Sequence, residues 1–265
     1  MMHLYKGFYP VDSTGIITIG VPNPSTNIFN TYQNNSFNEW LAGVIDGDGH
    51  FRLSHGKYPF LQIIMEVKNT PLLAAIQARF GGYLVSPVNC RPTTAKYTLG
   101  KRHLMRELVN SMNGHIRGIN RVPQFIELCN NLDIKYIPAI PLTRDSAWFS
   151  GMIDSDGTIV AGITKKYPTI SIKATSMHYA DLEVFTIFGG SINKGGPNCY
   201  DWVISHPDKV TSMVEYFNEY PLFSHKMLRV QRIEEFYMLR SLKANRKDSR
   251  YHDAWKNWID RWKLS

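Results

Sequence analysis

A nine-residue motif occurs twice in this chain, 108 positions apart, and each copy ends in two acids and a glycine. The first copy is LAGVIDGDG at residues 41–49, and the second is FSGMIDSDG at residues 149–157. A tryptophan directly precedes each copy, Trp40 and Trp148. A period of this length is too long for a solenoid repeat and suits a duplicated domain. The sequence therefore predicts two equivalent halves, each beginning with a short apolar helix.

The same order of elements follows each motif. The pattern predicts two strands, a helix that ends at Phe80-Gly81-Gly82, two further strands, and a helix over about residues 101–112. It recurs after the second motif, where a helix ends at Phe188-Gly189-Gly190, again 108 residues later. Alternating apolar and polar residues at 61–67 and 170–175 predict strands with one buried and one polar face. The predicted fold class is α+β, with two αββαββα halves whose helices cover one face of each sheet.

Shifts in composition predict the domain boundaries. They are an N-terminal extension over residues 1–35, a first half over 36–131, a linker over 132–144, a second half over 145–242 and a basic C-terminal helix over 243–265. Ser36 and Glu39 form a capping-box pattern that predicts the start of the first motif helix. Trp255, Trp258 and Trp262 recur at near-helical spacing, which is more typical of a packing stripe than of a base-stacking platform.

The charge balance favours an anionic partner. Lys and Arg number 30 against 22 Asp and Glu, which gives a net charge of +8. From Lys226 onward, eleven basic residues stand against five acidic ones. Nucleic acid is the leading candidate for a partner, although a solvated basic surface is the alternative.

The cysteine spacing, the apolar runs and the first residues argue against several classes of protein. The three cysteines are far apart and form no Cys-x-x-Cys pair, so we expect neither a disulfide framework nor structural zinc. No apolar run approaches the roughly 18 residues needed to span a bilayer, so we expect no membrane partner. The first residues lack both the charged start of a signal peptide and the Arg-rich pattern of a transit peptide.

The acids of the two motifs predict a metal site. An Asp at the C-terminal end of a helix lies at the negative end of the helix dipole, where a carboxylate is unfavourable. If Gly43 packs against Gly151, the helix backbones approach closely and bring Asp48 and Asp156 together. Carboxylates that close raise each other's pKa unless a cation intervenes, and oxygen ligands suit Mg²⁺ or Ca²⁺. The backbone carbonyls expected to add ligands are those of Gly47 and Ser155.

The motif has two alternative interpretations. A run of Asp and Gly can simply end a helix, but two copies at a matched offset, each with its tryptophan, favour a functional site. A calcium loop of the EF-hand type fails on spacing. With Asp46 at position 1, the required glycine at position 6 is Phe51 and the required glutamate at position 12 is Lys57.

The paired motifs resemble those of the single-chain LAGLIDADG homing endonucleases, and the similarity covers about residues 36–242. The resemblance implies two pseudo-symmetric halves whose motif helices form the central interface and whose sheets form a saddle in the DNA major groove. It implies a monomeric, site-specific endonuclease that hydrolyses phosphodiesters in both strands of a long DNA target during intron homing, with Mg²⁺ as cofactor. Ca²⁺ is expected to occupy the site without supporting cleavage. The resemblance also implies an organelle, above all the mitochondrion.

The resemblance assigns roles to individual residues. The last acid of each motif, Asp48 and Asp156, corresponds to the catalytic, metal-binding carboxylate, whereas Asp46 and Asp154 correspond to structural acids. Lys226 resembles the lysine that orders the attacking water in this family. An ordinary phosphate contact is the other interpretation of Lys226.

The first half offers a different residue at the position of that lysine. Its matching turn points to Arg117 as the counterpart of Lys226. Many family members have a glutamine at the end of the second strand of each half, where this sequence has Val67 and Ser176. That part of the water network therefore departs from the family pattern.

The polar sheet faces predict the DNA contacts. The outward-facing candidates for reading bases in the major groove are Arg52, Gln62, Glu66, Lys68, Lys96, Thr164, Lys166, Ser171, Lys173 and Thr175. The candidates for phosphate contacts are Arg117, Arg121 and Arg229, of which the last two can also be plain helix-surface charges. Because the halves differ at nearly all these positions, we expect an asymmetric target. Two further hypotheses are a maturase of the same fold that binds intron RNA and a DNA-binding regulator without catalysis.

Overall fold

The computed structural model describes residues 34–88, 91–163 and 167–265, and residues 36–265 form one compact unit. The predicted extension over residues 1–35 lies outside the described residues, except for its last two positions. Two candidate base readers, Thr164 and Lys166, also lie outside them.

The first half contains a four-stranded antiparallel sheet in the order β1-β2-β4-β3. A single 3-10 turn, Val67–Asn69, joins β2 to the next helix. The elements in chain order are α1 (Asn34–Asp48), β1 (Gly49–Ser54), β2 (Tyr58–Glu66), α2 (Thr70–Phe80), β3 (Tyr83–Val85), β4 (Thr94–Leu99), α3 (Arg102–Met112) and α4 (Arg121–Asn131).

The second half repeats this plan, with a four-stranded antiparallel sheet in the order β5-β6-β8-β7. Its elements in chain order are α5 (Trp148–Asp156), β5 (Gly157–Gly162), β6 (Thr169–Ser176), α6 (Tyr179–Glu183) with a 3-10 continuation over Val184–Phe188, β7 (Ser191–Gly196), β8 (Cys199–Ile204), α7 (Pro207–Glu219), α8 (Lys226–Val230), α9 (Ile233–Ser241) and α10 (His252–Lys263). The α+β prediction with two matching halves is confirmed.

The alternation of buried and outward-facing residues predicted for the strands is also confirmed. Burial alternates along β2 and β6, so that one face of each sheet packs under helices and the other faces outward. The inward residues are those the alternation predicts, namely Leu61, Ile63, Met65, Ile170, Ile172 and Ala174. Among the described residues, no helix has the length and apolar character needed to cross a bilayer.

Each half closes with more helix than predicted. After α3 the first half adds α4, whose Phe125 packs on Phe51 of β1 with ring centroids 5.6 Å apart. The predicted linker, residues 132–144, contains neither helix nor strand. In α10 the rings of Trp255, Trp258 and Trp262 are buried and stacked at 5.4 and 5.0 Å, which confirms the packing stripe.

The motif helices α1 and α5 cross at their glycines. A methyl group added to Gly43 would lie 2.1 Å from the carbonyl oxygen of Trp148, and one added to Gly151 would lie 2.0 Å from that of Trp40. Ser36 lies inside α1, which the structure describes from Asn34, so it is not the predicted N-terminal cap. Oε2 of Glu39 accepts from the Ala147 amide at 2.9 Å, so α1 supplies the N-terminal cap of α5. The predicted close helix contact is confirmed, and the halves interlock there.

Candidate active site at the junction of the motif helices

The first acid of the first motif holds the two halves together. Asp46 accepts hydrogen bonds from the backbone amides of Arg117 at 3.0 Å and Gly118 at 2.9 Å. It also accepts from the indole nitrogen of Trp148, in the other half, at 2.8 Å. Burial raises the pKa of Asp46 to about 6, and these three donors act against that shift. All of them stabilise the ionised carboxylate, which gives Asp46 a structural role.

The second half repeats this arrangement. Asp154 accepts from the backbone amides of Phe223 at 2.9 Å and Ser224 at 3.0 Å, and from the indole nitrogen of Trp40 at 2.8 Å. Burial raises the pKa of Asp154, and its hydrogen bonds oppose the rise. Each tryptophan therefore reaches the structural acid of the opposite half. This explains why a tryptophan precedes both motifs.

The last acids of the motifs lie together at the ends of α1 and α5. A methyl group added to Gly47 would lie 2.9 Å from Oδ2 of Asp156. Burial raises the pKa of Asp48 to about 6, and the neighbouring Asp156 carboxylate raises it further, while Lys226 and Arg121 act in the opposite direction. Burial also raises the pKa of Asp156, again opposed by the same two cations. The structure thus brings together the two acids that the sequence singled out.

Lys226 caps the second motif helix. Its ammonium donates to the carbonyl oxygens of Ile153 at 2.8 Å, Asp154 at 2.9 Å and Ser155 at 3.1 Å. Burial lowers the pKa of Lys226, whereas the nearby carboxylates, Asp154 and Asp48 first among them, raise it. The predicted lysine therefore lies beside the paired acids and neutralises the negative end of the α5 dipole.

In the first half Arg121, and not the predicted Arg117, caps the carbonyls that are equivalent to those capped by Lys226. Arg121 donates from Nε to the carbonyl of Ile45 at 3.1 Å and from its guanidinium to that of Gly47 at 3.0 Å. These carbonyls are the equivalents, 108 residues earlier, of those that Lys226 caps. The cation of the first half thus comes from the start of α4 rather than from the turn before it.

Arg117 has another role. Its guanidinium donates to the carbonyl of Ile140 at 3.2 Å and lies over the ring of Trp148, with its central carbon 5.2 Å from the centroid. Its backbone amide, which holds Asp46, occupies the place of Phe223 in the second half. The backbones of the two turns match 106 residues apart, whereas pairing Arg117 with Lys226 requires an offset of 109 residues, so the two side chains do not occupy equivalent places.

The carbonyls predicted as metal ligands are already engaged. Gly47 accepts from Arg121, and Ser155 accepts from Lys226. A metal ion on either oxygen would lie beside a positive charge, which is unfavourable. Within the described part of the chain, no group of three or more His, Cys, Asp or Glu side chains could hold a metal ion. Within the described residues the candidate side-chain ligands at this place are therefore the carboxylates of Asp48 and Asp156.

A cavity of about 270 Å³ opens beside Asp156, between the two halves. On its second-half side Ser176, one of the residues that replace the family's glutamine, donates to Oδ2 of Asp181 at 3.1 Å. Oδ1 of Asp181 accepts from the Ile119 amide of the first half at 3.2 Å. Asp181 also raises the pKa of Asp156. No sequence motif points to Asp181, whose contact with the Ile119 amide joins positions 62 residues apart.

The outer face of the first sheet carries the predicted polar residues. Arg52, Gln62, Glu66 and Lys96 lie there, and Arg52 stacks over the ring of Phe60 with 4.8 Å between its central carbon and the centroid. Lys68 follows the end of β2, and its ammonium lies 2.9 Å from the carboxylate of Glu66. Both members of that pair are exposed, so its contribution to stability is small.

The outer face of the second sheet carries an acid that the sequence did not single out. Ser171, Lys173 and Thr175 lie on this face of β6, as predicted. Asp201 lies opposite Thr175 on β8, accepts from its hydroxyl at 2.7 Å, and lies 3.9 Å from the ammonium of Lys173. Strand alternation along Tyr200–Val203 could have placed Asp201 on this face.

Arg229 makes two hydrogen bonds within the protein. Its Nε donates to the C-terminal residue Ser265 at 3.0 Å, and its guanidinium donates to the carbonyl of Ile159 at 2.8 Å. It also lies over the ring of Trp262. These contacts give Arg229 a structural role that ties Ser265 to β5, and its phosphate contact stays a prediction.

Comparison with known proteins agrees with this geometry. Residues 149–237 match the sequence model described as LAGLIDADG endonuclease. These residues, in the second half of the chain, are thus similar to the LAGLIDADG family. The chain is 34% identical over 234 residues to the intron-encoded RNA maturase bI4 of Saccharomyces cerevisiae, an alignment that covers 85% of this chain and 36% of the relative. It is 28% identical over 241 residues to the intron-encoded DNA endonuclease ai2a of Dictyostelium discoideum, with 88% and 77% covered.

A third relative is the probable intron-encoded endonuclease aI2 of Debaryomyces hansenii, at 27% identity, with 86% of this chain and 38% of the relative covered. The chain thus spans little more than a third of the bI4 and aI2 proteins. Among solved structures, the homing endonuclease I-LtrWI bound to target DNA has a TM-score of 0.69 at 13% identity, covering 88% of this chain and 98% of the other. At that identity the likeness concerns the fold, and it confirms the two-part saddle.

Proposed function

We propose that this protein is a site-specific, divalent-metal-dependent DNA endonuclease of intron homing that cuts both strands of its target. The observation that carries the proposal is the meeting of Asp48 and Asp156 at the ends of the crossed motif helices. Two halves related by pseudo-symmetry supply one acid and one cation each, which suits one cut in each strand. The relatives named as DNA endonucleases, and I-LtrWI bound to its target DNA, support the same activity.

The paired acids fit Mg²⁺. Mg²⁺ in phosphoryl-transfer sites is usually held by one or two carboxylates, with phosphate oxygens and water completing the shell. Asp48 and Asp156 supply two carboxylates, and no third His, Cys, Asp or Glu side chain forms a metal-binding group with them in the described residues. When bound, such an ion lowers the pKa of water and neutralises charge on the scissile phosphate. Ca²⁺ is proposed to occupy the site without supporting cleavage, and the related I-SmaMI was solved on uncleaved DNA in the presence of calcium ions.

Lys226 and Arg121 complete the proposed catalytic centre. Each fixes the end of one motif helix through its carbonyls and so fixes the position of the adjacent acid. Each also places a positive charge next to the proposed position of the scissile phosphate, where negative charge develops during hydrolysis. Lys226 is buried among carboxylates and donates to three acceptors, so its main proposed role is to position the centre.

The sheet faces are the proposed DNA-binding surface. An antiparallel pair of strands fits the major groove, where each base pair shows a distinct pattern of donors and acceptors. The proposed contacts are Arg52, Gln62, Glu66, Lys68, Lys96, Ser171, Lys173 and Thr175. Because the residues differ between the halves, the proposed target is asymmetric. One chain carries both halves, so the proposed active form is a monomer. The intron-encoded relatives support expression from an intron, and the proposed compartment is the mitochondrion.

The test is cleavage of a duplex that contains the uninterrupted insertion site of the intron. Wild-type protein with Mg²⁺ should make a staggered double-strand cut. Asp48→Asn and Asp156→Asn should each reduce cleavage by about 100-fold or more, while binding measured in Ca²⁺ stays within a few-fold. Asp248→Asn, at an exposed acid far along the chain, is the matched control and should cut at the wild-type rate. Cleavage of both strands by Asp48→Asn at the wild-type rate would contradict the proposal.

A second candidate function is that of an RNA maturase. It is favoured by the 34% identity to the RNA maturase bI4. A maturase would keep the saddle and the basic C-terminal segment but would not need Asp48 or Asp156. Splicing of the intron RNA in the presence of the double variant Asp48→Asn/Asp156→Asn separates the activities. If the double variant supports full splicing and the wild type cleaves no DNA, the maturase is favoured. If the protein shows neither activity and binds DNA equally with and without Mg²⁺, a regulator is favoured.

A further inference from the structure

Asp201 is an acidic side chain on a surface proposed to face polyanionic DNA. Its position is fixed by close packing, because a methyl group added to Gly195 of the adjacent strand would lie 2.6 Å from the Asp201 carboxyl carbon. The hydroxyl of Thr175 holds Oδ1 from the other side at 2.7 Å. A carboxylate so placed repels phosphates unless it accepts from a group of the DNA itself.

The second oxygen of Asp201 has capacity for such a group. Oδ2 lies 3.9 Å from the ammonium of Lys173, which is longer than a hydrogen bond. The two side chains are 20% and 37% exposed, so an incoming ligand can reach both. Together they present an acceptor directly beside a donor on the outer face of the second sheet.

This pair matches one edge in the major groove. In a G·C pair, cytosine N4 donates and guanine O6 accepts, and because these atoms are hydrogen-bonded to each other they lie about 2.9 Å apart. Asp201 can accept from N4 while Lys173 donates to O6 and the neighbouring N7. An A·T pair also places a donor, adenine N6, beside an acceptor, thymine O4, but it suits the two side chains less well. The carboxylate at N6 would lie beside the acceptor N7, and the ammonium at O4 would lie beside the thymine methyl group with no second acceptor like guanine N7.

The first half has the opposite charge at the equivalent position. Tyr97 and Trp202 both donate from the ring to the carbonyl of the glycine that ends the preceding helix, which aligns the two residues. The residue before each is then equivalent, and these are Lys96 and Asp201. A pseudo-symmetric sheet that carries a cation on one side and an acid on the other should therefore require different bases in the two half-sites.

We infer that Asp201 and Lys173 read a single G·C base pair of the target, with Asp201 accepting from the cytosine and Lys173 donating to the guanine. Thr175 positions the carboxylate. The inference rests on the proposed DNA-binding function and adds a specificity-determining residue to it.

The experiment selects bound duplexes from a random-sequence DNA library in Ca²⁺ and sequences them. Wild-type protein should enrich one long asymmetric site. Asp201→Ala should reduce the preference for cytosine at one base pair about tenfold, and Lys173→Ala should relax the guanine of that same pair. Asp201→Asn should shift the preference there from cytosine to adenine, since Asn pairs with N6 and N7 of adenine. A purely structural role for Asp201 would not produce that shift.

Two controls make the outcomes distinct. Lys96→Ala should relax a base pair in the other half-site, and Asp248→Asn should leave every position unchanged. Unchanged preferences with Asp201→Ala, or relaxation of different base pairs by Asp201→Ala and Lys173→Ala, would overturn the inference while leaving the endonuclease proposal standing. If the wild type enriches no sequence at all, the proposed DNA function fails and the inference fails with it. Thermal melting of each variant checks that the fold is retained.

Discussion

Gly43 and Gly151 lie in direct backbone contact, with their Cα atoms so close that a methyl group on either would lie 3.0 Å from the Cα of the other. The same methyl groups would lie 2.1 and 2.0 Å from carbonyl oxygens of the opposite helix, which cannot move aside as a side chain can. This contact sets how near the C-terminal ends of α1 and α5 come. The distance between the paired acids therefore depends on two residues that carry no functional group.

Gly43→Ala should consequently reduce both stability and activity. Overpacking of a core costs about 1–3 kcal/mol, and a clash with backbone belongs at the upper end of that range. Urea denaturation measures the loss of free energy, and cleavage of the target should fall even at temperatures where the variant is folded. Gly56→Ala is the matched control, since a methyl group there meets nothing within 4 Å and only the left-handed backbone is strained. It should cost about 1 kcal/mol and leave cleavage intact. If Gly43→Ala and Gly56→Ala were equally stable, α1 and α5 could move apart at little cost and the prediction would be contradicted.

The crossed tryptophan–aspartate bonds predict a measurable coupling between the halves. Trp148→Phe keeps most of the ring but leaves Asp46 without its indole donor. A hydrogen bond to a charged acceptor contributes about 1.5–3 kcal/mol, so the variant should lose roughly 2 kcal/mol. Trp40→Phe should lose a similar amount at Asp154.

A double-mutant cycle tests that assignment by chemical denaturation. Trp148→Phe and Asp46→Asn act on one bond, so their effects should fall short of the sum by about 1 kcal/mol or more. The two Trp→Phe changes act on separate bonds and should add within about 0.5 kcal/mol. Additivity in the first cycle would show that the indole contributes only by packing.

The raised pKa of Asp48 predicts a pH dependence of stability in the metal-free protein. The pKa rises from 3.8 to about 6 on folding, so the folded state holds the proton more tightly than the unfolded state. The contribution of Asp48 to the free energy of unfolding is therefore greatest below pH 3.8 and is lost as the pH rises through 6. At pH 7.5 the buried, ionised carboxylate costs up to about 3 kcal/mol.

Asp48→Asn should accordingly be more stable than the wild type in EDTA at pH 7.5, and its advantage should shrink at pH 5. Thermal or urea unfolding at the two pH values measures this difference. Asp248→Asn should stay within about 0.5 kcal/mol of the wild type. If the wild type were more stable than Asp48→Asn at pH 7.5 without metal, the ionised Asp48 carboxylate would not destabilise the fold and the prediction would be contradicted. A buried acid that destabilises the fold is consistent with a functional site.

Features set by local sequence were predictable here. The duplicated motif, the strand alternation and the glycine pair at the helix crossing are each visible as a pattern within a short segment of sequence. Helix α4 carried a comparable signal that was missed. Its buried residues Phe125, Leu128 and Cys129 recur at helical spacing, and Pro123 lies in the first turn, where proline is favoured.

Long-range partners were not predictable in this way. The capping-box rule assigned Glu39 to its own helix, but the carboxylate found a donor 108 residues away. Strand alternation could place Asp201 on a face, but the contacts of Asp181 with Ile119 and of Asp201 with Thr175 join positions 62 and 26 residues apart. No local pattern encodes such contacts, because they depend on how the two halves pack.

The assignment of Arg121, rather than Arg117, as the counterpart of Lys226 can be tested directly. Arg121 and Lys226 cap equivalent carbonyls beside the paired acids, whereas the guanidinium of Arg117 is engaged by Ile140 and Trp148. Arg121→Met and Lys226→Met should therefore each reduce double-strand cleavage by about 10- to 1,000-fold, since both remove a positive charge next to the proposed position of the phosphate. Arg117→Met keeps an unbranched aliphatic side chain and the backbone amide that holds Asp46, and it should cut within a few-fold of the wild type. Single-turnover cleavage of a duplex labelled on each strand, with circular dichroism to confirm folding, separates the three variants. If Arg117→Met loses as much activity as Lys226→Met while Arg121→Met stays active, the pseudo-symmetric pairing of Arg121 with Lys226 is wrong and the cation of the first half acts from the turn before α4.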